Sequence, residues 1–290
     1  MSVHSKSLQS IHVKSSKGDR IFYVINCIFL GLLALIILYP LYFIIIAAIS
    51  DPDAVLAGEV VLYPVKVTLS GFAKILERTD VWRGYLNTII YTAITVVLSL
   101  VTTIPAGWAL SRKNLVGKKF FMIYFIIPMF FGGGLIPFYN VMSSLHLVNT
   151  IWSVILPAIL SVWNLFMTRT FFESSIPDGL VEAAKIDGCG YFRIYYQIFL
   201  PLMKGALMTQ LILWFMGIWN DYLAPTIFIQ DDEWFTLQVV IRSFNSYYAV
   251  NSDYPLIMAA SVLSILPTLL LFFFFQRYII ESVAISGVKG

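Results

Sequence analysis

Two sets of residues in this chain of 290 have types and spacing that could do chemistry. The first lies in the polar stretch 172–202, where Ser174 or Ser175 can cap a helix whose first turn holds Pro177 and Asp178. Leu180, Ala183 and Ala184 then fall on one side of that helix, at i, i+3 and i+4. Such a face of small residues suits close approach by another surface. Gly188 is placed to end the helix, and Gly190 lets the chain turn afterwards. The second set is Ser161, Trp163, Asn164, Gln210 and Trp214, polar or aromatic residues midway along apolar stretches. Amides and hydroxyls can partner the hydroxyls of a sugar, and indole faces can stack on its ring. The alternative for each is an interhelical hydrogen bond or packing against lipid.

Other chemistries are excluded by what is missing. No Gly-x-Ser-x-Gly occurs, and no His lies in an apolar stretch to act as a base. Acidic residues are absent from the interiors of those stretches, which argues against a proton-coupled carrier built on a buried carboxylate. His4, His12 and His146 are scattered, without metal-ligand spacing. Cys27 and Cys189 lie in segments too differently placed to form a structural disulfide. Gly117-Lys118 does not complete a phosphate-binding loop, because Arg112 stands where the first Gly belongs and Lys119 follows. The chain is therefore expected to have no catalytic residue, no metal and no cofactor of its own.

The elements that must position both sets are membrane spans. Apolar residues make up 59% of the chain and charged ones only 12%, against about a quarter charged in an ordinary soluble domain. A bilayer core needs about 20 apolar residues per helix. Six stretches qualify: 21–50, 85–111, 120–145, 148–168, 198–220, which carries only Lys204, and 254–276. They are apolar all round, whereas buried helices of a soluble protein would show a polar face. The first is too long for the core of a cleaved signal peptide, although a basic leader precedes it. Pro105, Pro128, Pro157 and Pro267 read as kinks that neighbouring helices can accommodate. The run Gly132-Gly133-Gly134, with Pro137 close behind, weakens the third span enough to predict a broken or bent helix lining a passage.

Taking alternate connecting segments as one side places fourteen Lys and Arg there and five on the other. By the positive-inside rule both termini face the cytoplasm. That side carries six acids and a net charge of +8, while the outer side carries ten acids and a net charge of −5. The expected organisation is a cytoplasmic tail at 1–20, a six-span domain at 21–280 with an inner loop at 173–197, and a cytoplasmic tail at 281–290. On the outer side, 221–253 mixes Trp234, Arg242, Asn245 and Tyr247 with acids. That composition suits the rim of another protein, or a solvated loop.

Glu182-Ala183-Ala184, Gly188, Ile198 and Leu200-Pro201 stand at the spacing of the "EAA" motif. In them the chain resembles the permease subunits of binding-protein-dependent ABC importers. It is most similar to the carbohydrate uptake type-1 group and its MalG-like members. Trp219-Asn220-Asp221-Tyr222 resembles the span-to-loop junction of those members, and the ending Gly287 to Gly290 resembles their tail. The Gly-Gly-Gly-Leu-Ile-Pro run from Gly132 is similar to LplC-like permeases for complex oligosaccharides.

The resemblance implies an all-α polytopic fold of six transmembrane helices with a cytoplasmic coupling helix, the type I ABC importer fold. It implies a multi-pass protein of a bacterial or archaeal inner membrane that carries a carbohydrate. Glu182, Ala183, Ala184, Asp187, Gly188, Ile198, Leu200 and Pro201 would meet a cytoplasmic ATPase, with Glu182 pairing a basic residue there. Gly287, Lys289 and Gly290 would add a second ATPase contact. The outer residues Trp234, Arg242, Asn245 and Tyr247 would touch a solute-binding protein. The implied partners are a second homologous permease, two ATPases that bind ATP and magnesium, the binding protein, the carbohydrate and the lipid bilayer, with no nucleic acid. A polyol or glycerol phosphate is the alternative cargo. An ATP-independent carrier would have no use for a complete coupling motif.

Overall fold

The computed structural model describes residues 17–175, 178–247 and 254–287, the side chains of 175, 178, 245–247 and 279–287 excepted. Among them no strand occurs. Helix α1 (Lys17–Ala48) presents apolar side chains in every direction, and none of its most apolar stretch is buried. Phe22 is 72% exposed and Ile36 69%, an arrangement that suits lipid rather than water. Two short helices follow, α2 (Pro52–Leu56) and α3 (Ser70–Leu76). The Asp51 carboxylate caps α2, accepting from the N–H groups of Asp53 at 3.1 Å and Ala54 at 3.4 Å.

Helix α4 (Thr79–Ser111) is the central post. It is followed by α5 (Lys118–Phe130), α6 (Leu135–Ser144), α7 (Trp152–Ala158), α8 (Val162–Ser175) and the short α9 (Asp178–Ile186). The chain continues through α10 (Tyr191–Ile194), a π-helical turn at Tyr195–Phe199, α11 (Leu200–Leu202) and α12 (Lys204–Trp219). It ends with α13 (Leu223–Phe228), α14 (Leu237–Tyr247) and α15 (Tyr254–Gly287). Four segments are long and apolar enough to cross a membrane: α1, α4, the pair α7 and α8, and α15. Two bent pairs, α5 with α6 and α10–α11 with α12, bring the number among the described residues to the six expected when each pair is counted as one broken span.

Both bends have local causes. Helix α6 turns 116° from α5, at a Gly134 with φ +83° and ψ 164°, a conformation essentially confined to glycine. The break predicted at the glycine run is therefore present. Helix α5 alone, at 13 residues, reaches only about 20 Å at 1.5 Å per residue. The second bend, 79°, separates the segment Tyr191–Leu202 from α12. Pro201 has no N–H to continue the ladder, and the wide π turn just before it already loosens the winding. The straight part of the fifth span thus begins at Lys204, six residues later than the charge pattern suggested.

In lipid, burying apolar surface gains little, so close contact and hydrogen bonds decide the packing. At Gly107 a Cβ would lie 2.7 Å from Thr168 Cγ2, and this absence of a side chain seats α4 on α8. At Gly71 a Cβ would lie 2.7 Å from the Pro255 carbonyl oxygen, which seats α3 on the start of α15. Far from α9, the segment between α13 and α14 is pinned to α4. Asn87 Nδ2 donates to the carbonyls of Glu233 at 2.8 Å and Phe235 at 3.0 Å, and Leu237 N–H donates to Thr88 Oγ1 at 2.8 Å. Gln238 Nε2 ties α14 to α12 and α15, donating to the Trp219 carbonyl at 3.2 Å and Ser264 Oγ at 2.9 Å.

A polar clamp closes the same end. Asn149, at φ +59°, accepts from the N–H groups of Gln230 at 2.9 Å and Asp231 at 3.1 Å, while its Nδ2 donates to the Asp231 carboxylate at 2.9 Å. Asn149→Gly keeps the left-handed backbone accessible and removes only the side-chain bonds. It is expected to destabilise the protein by about 1–3 kcal/mol, read as a lower midpoint when the detergent-solubilised protein is heated.

Candidate functional site

The polar end of the molecule is organised around α9. Its inner face, Val181 and Ala184, is buried against Phe172 of α8, Ile194 of α10, Phe199 and Ile104 of α4. Glu182, Ala183, Asp187 and Gly188 are exposed. The helix stops in a Schellman arrangement: the Cys189 N–H donates to the Ala184 carbonyl at 2.9 Å and the Gly188 N–H to that of Lys185 at 3.0 Å. Gly188 has φ +77°, the left-handed region where glycine carries no side-chain penalty.

The expected small-residue side is thereby divided. Ala184 packs inward, while Leu180 and Ala183 face outward with Glu182. Ser174, one of the two serines expected to cap α9, lies in the last turn of α8, its hydroxyl donating to the Phe171 carbonyl at 3.3 Å, while the side chain of Ser175, the other, lies outside the described residues. Ile198 and Leu200 pack against the cluster beneath α9, so they support it rather than extend its surface. Pro201 is exposed beside them. Sequence reasoning missed Ile186, the last residue of α9, and Phe192 in α10, which stand 86% and 88% exposed. Large apolar residues flanking Gly188 in an otherwise polar loop were the available signal.

Deeper in the molecule, Ser161, Asn164 and Trp214 line one cavity of about 230 Å³, bounded by α7, α8 and α12. Ser161 sits in the break between α7 and α8, where its Oγ accepts from the Asn164 N–H at 3.3 Å. Asp221, which the sequence reading did not select, also lines this cavity; its carboxylate accepts from the N–H groups of Leu223 at 3.0 Å and Ala224 at 3.3 Å. Gln210 lies one turn along α12 from Trp214, 1% exposed, with neither amide atom hydrogen-bonded among the described residues. The Trp214 indole N–H is likewise buried without an acceptor among the described residues. Trp163 does not join them. It is 63% exposed on the other side of α8, lining an apolar cavity of about 610 Å³ with Met122, Met129 and Phe166.

Residues 81–285 match the family described as the binding-protein-dependent transport system inner membrane component. The chain belongs to that family. The permease is 33% identical over 263 residues to the arabinooligosaccharides transport system permease protein AraQ of Halalkalibacterium halodurans, covering 89% of this chain and 93% of the relative. It is 29% identical to Protein LplC of Bacillus subtilis, over 98% of this chain and all of the relative. Among solved structures it is similar to a chain of a bacterial ABC transporter involved in the import of the acidic polysaccharide alginate. The TM-score there is 0.81 at 32% identity, covering 91% of this chain and 98% of that one. The fold is therefore that of an ABC importer permease, an all-α membrane protein.

At the end of the permease opposite α9, Trp234 is partly exposed and its carbonyl accepts from the Tyr91 hydroxyl at 3.0 Å. The Arg242 guanidinium lies 5.0 Å from the centroid of the Tyr222 ring. The side chains of Asn245 and Tyr247 and the surroundings of Gly287 lie outside the described residues, as do Lys289 and Gly290 altogether.

Proposed function

We propose that this permease forms half of the membrane pathway of an ATP-driven importer for an oligosaccharide, paired with a second homologous permease. Two separate ATPase subunits hold ATP and magnesium and hydrolyse the nucleotide. A solute-binding protein delivers the sugar to the surface around Trp234 and Arg242, with Asn245 and Tyr247 on the same loop. Both termini face the cytoplasm, a reading supported by the charge asymmetry of the connecting segments. The observation that carries the reading is the exterior of α9, where Glu182 and Ala183 stand on an exposed face beside large apolar side chains. Such a face at a polar end needs a protein partner.

ATP favours a closed ATPase dimer, and a helix seated on each ATPase carries that preference to the spans. The work is differential binding between two states, each ATPase state pairing with one arrangement of the permeases. Glu182 pairs a basic residue of the ATPase, and Asp187 and the left-handed Gly188 hold the turn that follows. Gly287, Lys289 and Gly290 add a tail contact to the ATPase. Sugar hydroxyls meet Ser161 and Asn164, the buried Gln210 amide waits for a partner, and the Trp214 ring offers a stacking face. Trp163 serves the pathway from the opposite side of α8.

The test is uptake of labelled oligosaccharides into proteoliposomes holding the complete importer, its binding protein outside and ATP inside. ATP-dependent accumulation of an oligosaccharide is expected. Equal uptake without ATP, or a polyol or glycerol phosphate as the preferred solute, would overturn the reading. Trp214→Ala is expected to lower uptake about tenfold per assembled importer, the loss of one good stacking contact, the amount assembled being measured alongside because the indole is buried.

A further inference from the structure

The segment 57–69 joins α2 to α3 without helix or strand. Six apolar residues follow one another in it, from Val60 to Val65, between the exposed Glu59 and Lys66. Val61, Leu62 and Tyr63 at its tip are all exposed, Tyr63 by 76%. Water penalises such a run on a loop, so the tip needs an apolar surface to lie against.

Its position follows from what holds it. Val60 is buried against Ile46 of α1 and Ala54 of α2, with Phe43 and Val65 packed beside it. The Val65 N–H donates to Ser50 Oγ at 3.2 Å, and the Val65 carbonyl accepts from the Asp51 N–H at 3.0 Å. Between these two fixings the tip runs back along α1. The Tyr39 hydroxyl donates to the Val61 carbonyl at 3.1 Å, and the Tyr42 hydroxyl donates to the Leu62 carbonyl. Both tyrosines lie well before α1 ends at Ala48, by about 13 and 9 Å along a helix that rises 1.5 Å per residue.

That level is the edge of the bilayer core. Arg20 is the last charge before the span, so the core cannot begin before Ile21. From there about 20 residues cross the core of about 30 Å, which brings its far edge to Pro40. Tyr39 and Tyr42 flank that edge, where amphipathic rings settle. A backbone carbonyl at this depth has little water to bond, and leaving it unpaired is costly. The two tyrosine hydroxyls supply partners for the carbonyls of Val61 and Leu62. A protein arriving from water would meet α2 and the end of α1 before the tip, whereas the lipid-facing surface of α1 continues directly onto it.

We propose that the tip 61–63 anchors the α1–α2 corner in the membrane. Leu62 and Tyr63 lie among the phospholipids of the leaflet at the C-terminal end of α1, and Tyr39 and Tyr42 hold the backbone of the tip there. Glu59 and Lys66 flank it with opposite charges, so apolar side chains rather than headgroup charge keep it in place. This goes beyond the transport reading and rests only on α1 crossing a membrane.

The test places a nitroxide at position 63, by Tyr63→Cys with Cys27→Ala and Cys189→Ala, in the complete importer reconstituted in phosphatidylcholine vesicles. Collisions with oxygen, which concentrates in lipid, are compared with collisions with a water-soluble nickel chelate. The oxygen-to-nickel ratio is expected to approach that of a label at Ile36→Cys on α1 and to exceed that at Asp53→Cys on α2 about threefold or more. A label at Leu62→Cys repeats the measurement at a second site. Y39F/Y42F keeps both rings and is expected to lower the ratio about threefold, two hydrogen bonds being lost. A ratio equal to that at Asp53→Cys, suppressed collisions with both probes as under a protein partner, or no response to Y39F/Y42F overturns the proposal. The label reports on inserted permease whether or not sugar is imported, so failure here leaves the transport reading standing, and failed uptake leaves the anchor.

Discussion

Replacing Gly188 by Val is expected to cut ATP-driven uptake at least about tenfold while leaving the amount of membrane-inserted permease unchanged. The backbone there has φ +77°, and a side chain in the left-handed region costs roughly 1–2 kcal/mol, more when β-branched. Each 1.4 kcal/mol is about a factor of ten in the population of the native turn. The penalty is purely one of backbone, because a Cβ at this position would meet nothing within 4 Å. The spans therefore pack as before, while the Schellman bonds from Gly188 and Cys189 are lost and Cys189 leaves its place. Asn tolerates the left-handed region, so Gly188→Asn is expected to keep most of the uptake. Labelled-sugar uptake and ATPase co-purification check both variants. Normal uptake by Gly188→Val, with the ATPase still bound, would sink the assignment of α9 as the coupling helix.

Gly71→Ala is expected to have the largest effect on stability for the smallest change in volume. The added Cβ would stand 2.7 Å from the Pro255 carbonyl oxygen and 2.8 Å from its carbon. These are backbone atoms, so no rotamer change can relieve the contact, and α3 must lift from α15. Overpacking of this kind costs about 1–3 kcal/mol. The control is Gly31→Ala on α1, where nothing lies within 4 Å of the added atom, and where Ala favours the helix by about 1 kcal/mol. Heating the detergent-solubilised permease and measuring the fraction that stays monodisperse compares the two. A midpoint for Gly71→Ala equal to that of the unmodified permease would mean that α3 is not seated against α15 as described.

The spans were legible in the sequence because the requirement is one-dimensional: a bilayer demands a minimum run of uncharged apolar residues, and the runs can be counted. The glycine break was legible for a related reason, since Gly132-Gly133-Gly134 lowers helix propensity wherever the segment lies. The start of α12 was not. Residues 198–203 are uncharged and apolar, so a count of apolar residues takes them into the span, and only the combination of the π turn with Pro201 moves the straight helix to Lys204. Within the candidate pathway, Ser161, Asn164 and Trp214 share a cavity, but Trp163 points to the other side of α8 and Asp221 joins from beyond α12. Mid-span depth can be counted along a chain. Facing cannot, because a helix rotates its neighbours by about 100° per residue.

The amino-acid sequence by itself determined the membrane class, the six spans, the charge asymmetry and the motif from Glu182 to Pro201, all of which depend on residue type and spacing alone. Only the tertiary structure decided which side of α9 is buried and which polar residues meet across a cavity. Residues 104 and 184 are distant in the chain, and what brings them together is the seating of α9 on the ends of α4 and α8. That seating follows from the buried contacts of Val181 and Ala184 with Phe172, Phe199 and Ile104, which no local pattern specifies.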